Sequence, residues 1–152
     1  MDTPPLDAAA DSATAVESFL TALARGDVDS ALGMITDDIE WVNVSLPTLR
    51  GARLVGRSLR AMNSPWLGFD AILHHVASTD GVVLTERTDL LSLGPLSIEF
   101  WVCGTFELRD GKVAVWRDYF SFRDLLRGTV IGLVRLALGR RGGRSTGYLG
   151  AR

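Results

Sequence analysis

Four runs of β-type sequence, residues 69–78, 82–93, 96–108 and 113–122, follow one another with almost nothing between them. The breaks are Asp80-Gly81, Gly94-Pro95 and Asp110-Gly111, dipeptides that favour tight turns. Long strands joined by such short turns have room only for antiparallel pairing of neighbours, because a parallel return needs a crossover of a dozen or more residues. The second half of the chain is therefore an antiparallel meander.

The first half is helical in pattern. Val16, Phe19, Leu20 and Leu23 recur at helical spacing, Thr14 with Glu17 fits a capping box, and Gly26 supplies a stop. Asp27 opens a second short helix carrying Ala31, Leu32 and Ile35. Ile39, Trp41 and Asn43 then alternate with Glu40, Val42 and Val44 as in a strand, which Pro47 ends. A third helix is expected over 52–62, with Val55, Leu59 and Met62 on one side and Pro65 closing the segment. Helices followed by a meander give an α+β domain in which the helices cover one concave face of the sheet.

No repeat or linker divides the 152 residues, so 11–138 is read as one domain between a flexible N-terminus, 1–10, and a basic flexible tail, 139–152. Residues 123–138 form a further helix whose Leu126, Val130, Leu133, Val134 and Ala137 share a face. Such a helix caps the sheet, lies on a membrane surface or docks a partner. Residues 1–40 hold nine acids and one base, whereas 121–152 hold seven arginines and one acid. The net charge of −2 gives no general attraction to nucleic acid. Cys103 is the single cysteine, so there is no intrachain disulfide, and the chain suits a reducing compartment. Met1-Asp2-Thr3-Pro4-Pro5 is no secretory signal, and no stretch approaches the ~18 apolar residues of a membrane span. A cytoplasmic location is expected.

Alternation puts Arg87 and Asp89 on one strand face with Val83 and Leu91. Charge on an apolar face must find partners. Asp118, between Trp116 and Phe120 on the face of a later strand, is the candidate, and Asn43 comes from a third strand beside Ile39 and Trp41. Convergent polar groups in an apolar hollow mark either a small-molecule site or a structural ion-pair cluster.

His74 and His75, adjacent on a strand, should face opposite ways and so cannot share a metal. Cys103 lies opposite Phe100 and Val102 and reads as a packed thiol. There is no Gly-x-Ser-x-Gly elbow and no Gly-rich phosphate loop.

Thr85-Glu86-Arg87-Thr88-Asp89-Leu90-Leu91 and Trp116-Arg117-Asp118-Tyr119-Phe120, the latter after a strand ending Gly-Thr-Phe-Glu-Leu and with Trp41-Val42-Asn43 upstream, resemble the limonene-1,2-epoxide hydrolases. The likeness runs from about Val16 to Asp124. It implies the cone-shaped α+β fold shared with nuclear transport factor 2 and ketosteroid isomerase, in which N-terminal helices pack on a strongly curved, mainly antiparallel sheet around a deep apolar pocket.

It further implies one-step addition of water to a hydrophobic cyclic or aryl epoxide, without cofactor, metal or covalent intermediate. Asp118 would match the general base, Asp89 the general acid, Arg87 the arginine between them and Asn43 the side chain that helps hold the water. Where the best-known members have a tyrosine, this chain has Trp41, whose indole N–H donates but cannot accept. The implied apolar lining is Leu20, Leu23, Met62, Trp66, Leu91, Phe100, Val102 and Phe120. A homodimer through the sheet is also implied. Isomerases, cyclases or dehydratases of the same fold are one alternative, and they leave Arg87 between two carboxylates without a role. A module that only binds an apolar ligand is the other, and it predicts that apolar residues could replace the cluster.

Overall fold

The computed structural model describes residues 6–140 and 147–151. Helices α1 (Leu6–Ala24) and α2 (Val28–Gly33) lead into strand β1 (Ile35–Asn43), the two-residue β2 (Leu49–Arg50) and helix α3 (Ala52–Met62). The meander follows as β3 (Leu67–Thr79), β4 (Val82–Leu93), β5 (Leu96–Arg109) and β6 (Lys112–Phe120), and helix α4 (Phe122–Ala137) leaves it. All six strands form one sheet in the order β2–β1–β6–β5–β4–β3.

The hairpins β3–β4–β5–β6 are antiparallel, as turn chemistry requires. At Asp80-Gly81 and Asp110-Gly111 both residues have positive φ, the twist that matches flanking strands in a two-residue hairpin. The unexpected pairing is β1 with β6, which is parallel and sets Trp41 opposite Trp116 and Asn43 opposite Asp118. Register shifts at Leu73/His75 and Glu107/Leu108 interrupt the meander and add twist, which curls the sheet. The first shift corrects the histidine expectation. Alternation fails there, and His74 reaches Thr88 (2.8 Å) while His75 reaches Glu86 (2.7 Å), both on the outer face.

Helices α1, α2 and α3 fill the concave side. Val16, Phe19 and Leu20 from α1 meet Val55 and Leu59 from α3 and the inward residues Ile39, Val83, Phe106 and Trp116 of the sheet, all buried. Phe19 stands edge-on to Trp116 at 5.2 Å between centroids. Each such side chain contributes about 1.5–3 kcal/mol on full burial. The start of α1 lies well before Thr14, whose hydroxyl donates back to the Ala10 carbonyl (2.9 Å) inside the helix. There is thus no capping box at Thr14, and residues 6–10, expected to fray, are helical. Residues 1–5 of the expected flexible N-terminus lie outside the described residues. The second helix starts where expected, with Asp27 accepting from the Ser30 amide (3.1 Å).

Phe122 belongs to α4 rather than to a strand, because Ser121 caps that helix. β6 pairs with β5 only from Val102 onward, leaving the 96–101 edge of β5 open. α4 covers that edge. A Cβ on Gly128 or Gly132 would collide with the carbonyl oxygens of Glu99 and Ser97, so only glycine permits this approach. The apolar stripe expected to seat α4 on the sheet points away from it instead, with Leu126 65% and Val134 53% exposed.

The tail also differs from expectation in part. Tyr148 and Leu149 are buried; the Tyr148 hydroxyl donates to Glu99 (2.9 Å), and the Gly150 amide donates to Asp70 (2.9 Å). Two apolar residues beyond the basic run outweigh its composition and pin 147–151 beside β3 and the end of α1. Arg141 and Arg144 of that run lie outside the described residues.

Candidate active site

The site starts from a register. Thr85, Gly104 and Asp118 form one inward row across β4, β5 and β6; Arg87, Val102 and Phe120 form the next; Asp89 and Phe100 lie beyond. The Arg87 side chain crosses from its own row over Gly104. Its Nε and Nη2 donate to the two oxygens of Asp89 (2.7 and 3.1 Å), Nη2 also donates to Asp118 Oδ1 (2.7 Å), and Nη1 donates to Thr85 Oγ1 (3.3 Å). Arg87 is wholly buried, and Asp89 and Asp118 are each 5% exposed.

Gly104 makes this crossing possible. A methyl group there would overlap Arg87 Nη1 and lie 2.7 Å from Thr85 Oγ1 and 3.1 Å from Asp118 Oδ1. Neither Gly104 nor Thr85 had been given a site role from sequence. A glycine inside a long inward-facing strand was the available signal, since such glycines mark close approach by another group.

Burial opposes the charge on Arg87, but Asp118 and Asp89 with their hydrogen bonds outweigh it and hold the guanidinium above its ordinary value. For Asp89 the balance goes the other way. Burial pushes its carboxyl up to about 6, the charge of Asp118 adds to this, and Arg87 only partly offsets it.

Both carboxylates face a cavity of about 220 Å³ between the sheet and α1–α3. Its polar lining is Asp89, Asp118, Asn43 and Asn63; Asn63 is tied down by donating to the Gly26 carbonyl (2.7 Å). Trp41 lines it too, stacked on Trp116 at 4.5 Å and 10°, and neither indole N–H has a hydrogen-bond partner among the described residues. The parallel β1–β6 pairing explains both neighbours, Trp41 on Trp116 and Asn43 beside Asp118.

Of the expected apolar lining, Leu23, Met62, Leu91, Phe100, Val102 and Phe120 border the cavity. Leu20 does not; it is wholly buried in the helix–sheet core. Trp66 does not either, being 77% exposed in the loop before β3. The lining that sequence reasoning missed includes Val28, Leu59, Phe69 and Leu125, which periodicity marked only as core or not at all.

The sequence pattern of the limonene-1,2-epoxide hydrolase catalytic domain matches residues 10–131. The chain belongs to the limonene-1,2-epoxide hydrolase family. It is 43% identical over 124 residues to the epoxide hydrolase EphG of Mycobacterium tuberculosis, covering 82% of this chain and 83% of that protein. A solved M. tuberculosis epoxide hydrolase described as like the limonene-1,2-epoxide hydrolases superposes with a TM-score of 0.83 at 40% identity, over 87% of this chain and 98% of the other. An NTF2-like protein of unknown function from Cytophaga hutchinsonii, 16% identical, superposes at 0.62 over 76% and 94% and shares the cone-shaped α+β fold. Members of this family are epoxide hydrolases, and this chain is a hydrolase of that type.

Removing the guanidinium should leave two buried carboxylates uncompensated. Arg87→Met is expected to cost about 3–5 kcal/mol in chemical denaturation at neutral pH. Gly104→Ala, which overpacks the same spot, should cost about 1–3 kcal/mol. Stabilities equal to that of the parent would show that Arg87 is not held in this arrangement.

Proposed function

We propose that the protein adds water to a small hydrophobic epoxide, cyclic or aryl, in a single step that gives a vicinal diol. The observation that carries this reading is one buried guanidinium bridging two carboxylates on the wall of an apolar cavity. Burial and the nearby Asp118 charge push the Asp89 carboxyl toward its protonated form, which suits it to give up a proton.

In this reading Asp118 takes a proton from a water molecule that Asn43 orients, and the water oxygen bonds to an epoxide carbon. The breaking C–O bond sends its electron pair to the epoxide oxygen, which takes the proton from Asp89. The diol leaves with Asp118 protonated and Asp89 ionised, so one proton must pass back between them before the next turnover. Arg87 compensates charge on both carboxylates throughout and fixes their spacing. Trp41 narrows the cavity beside the water and offers an N–H donor. The cavity's aromatic and aliphatic walls, Phe69, Leu91, Phe100, Val102 and Phe120, favour a ring-bearing substrate without charge.

A single turnover in water enriched in heavy oxygen should place the label directly in the diol. Label appearing first in the protein would mean a covalent intermediate and rule this route out. Asp118→Asn and Asp89→Asn should each lower kcat by about 10²–10⁴ or more with the fold intact by circular dichroism, whereas Trp41→Tyr should keep or raise activity. An active Asp118→Asn enzyme would remove the proposed base.

The pH profile gives an independent check. As the acid, Asp89 must carry its proton, and a carboxyl held at about 6 is mostly protonated below that pH and mostly ionised above it. Activity should therefore decline as pH rises through about 6. A rate rising through the same window would contradict Asp89 as the acid.

We also propose a homodimer through the outer face of the sheet, where Leu84, Trp101 and Tyr119 are 44–48% exposed on neighbouring strands. Sedimentation should give twice the chain mass, and Leu84→Glu with Tyr119→Glu should give monomers. A parent protein that sediments as a monomer at micromolar concentration would exclude the dimer.

A further inference from the structure

α4 touches the cavity with one side and solvent with the other. Leu125 lines the hollow, and Phe122, 51% exposed, packs edge-on against the lining residue Phe120 at 5.5 Å. One helical turn and three turns further on, Leu126 and Leu133 are 65% and 50% exposed. Leu96, beneath Gly132, links the helix to Leu93 (45% exposed), its partner across the β4–β5 hairpin. Beyond Leu93 stands Trp66, 77% exposed, whose carbonyl accepts from the Gly94 amide (2.8 Å). Large apolar side chains thus run along α4 to the sheet's open end.

We infer that this end of the molecule is a docking surface for an anionic lipid bilayer, with α4 lying along the membrane–water boundary. The charge distribution selects this occupant. Arg123, Arg127 and Arg135 are exposed on the same helix and Arg140 follows it, while Asp124 is the one acid in residues 121–152. An apolar face bordered by arginines suits the headgroup–acyl boundary, where guanidinium groups reach phosphates while their stems stay in contact with apolar surface. An exposed tryptophan at the edge is the residue type enriched at that depth.

A second copy of the chain fits less well. Antiparallel pairing of two α4 helices about Val130 would bring Arg123 and Arg127 of one copy toward Arg135 and Arg140 of the other, four arginines against Asp124 and the Glu99 carboxylate that already faces Arg135 (3.9 Å). The acidic N-terminal portion is no obstacle to a bilayer; α1 packs chiefly on β3, away from α4. For a hydrolase of apolar epoxides such docking joins the cavity wall to the phase into which the substrate partitions. That use rests on the proposed reaction, but the docking itself does not.

The test floats the full-length protein on phosphatidylcholine vesicles with and without phosphatidylglycerol. Binding is expected to the anionic vesicles, to weaken with salt, and to fall about five-fold for each arginine neutralised. Leu126→Ser with Leu133→Ser should abolish flotation while leaving circular dichroism and turnover of a water-soluble epoxide unchanged. Should that pair unfold the protein, Arg123→Glu with Arg127→Glu, both at exposed positions, decides in its place. No flotation of the parent, or undiminished flotation of the variants, overturns the proposal. So does a loss of dimer mass in the Leu126/Leu133 variant, since a second copy would then cover the face. A parent that floats but hydrolyses no epoxide leaves the docking standing and refutes the reaction instead.

Discussion

A wholly buried guanidinium sets the conditions for everything around it. Unpaired, Arg87 would be among the most costly groups the fold could bury, so the structure must supply anions at fixed positions. It takes one from its own strand, two residues on, and one from β6, two strands away. The second is the more demanding, because Asp118 arrives only if β5 and β6 pair in register and β5 offers no side chain where the arginine passes. Strand register, the small residue at Gly104 and the charge on Arg87 therefore stand or fall together.

The same arrangement divides labour between two carboxyls of identical chemistry. Both contact one nitrogen of the same arginine, yet Asp89 accepts two hydrogen bonds from the guanidinium and Asp118 one. Asp118 instead has Asn43 beside it through the parallel β1–β6 pairing. Proximity to a polar amide on one side and a buried fork on the other separates two residues that sequence alone would treat alike.

Much of this was legible beforehand, and the reason is local. Turn dipeptides fixed the hairpins, helical spacing found α3, and period-two alternation put Arg87, Asp89 and Asp118 on inward faces. The misses arise where tertiary structure overrides local pattern. A bulge at His74 reversed one alternation. Two glycines moved α4 onto a strand edge and turned its apolar stripe outward, which hydrophobic periodicity reads as a buried face. Tyr148 and Leu149 were obscured by the arginines and glycines before them. Trp66 and Leu20 were carried into the lining by likeness to relatives, and this chain's own geometry puts one in solvent and the other in the core. How β1 joined the sheet was not fixed by any local signal, since parallel partners carry no turn between them.

The Trp41–Trp116 stack gives the molecule a built-in optical signature. Two parallel indoles at 4.5 Å couple their electronic transitions, while Trp66 and Trp101 are exposed and separate from the pair. The coupled pair borders the hollow next to Asp118, so changes in the buried, blue-shifted part of the ultraviolet-excited emission report on that hollow, and changes in the exposed part report on the surface. Occupancy of the interior and events at the periphery can thus be followed in one unlabelled sample.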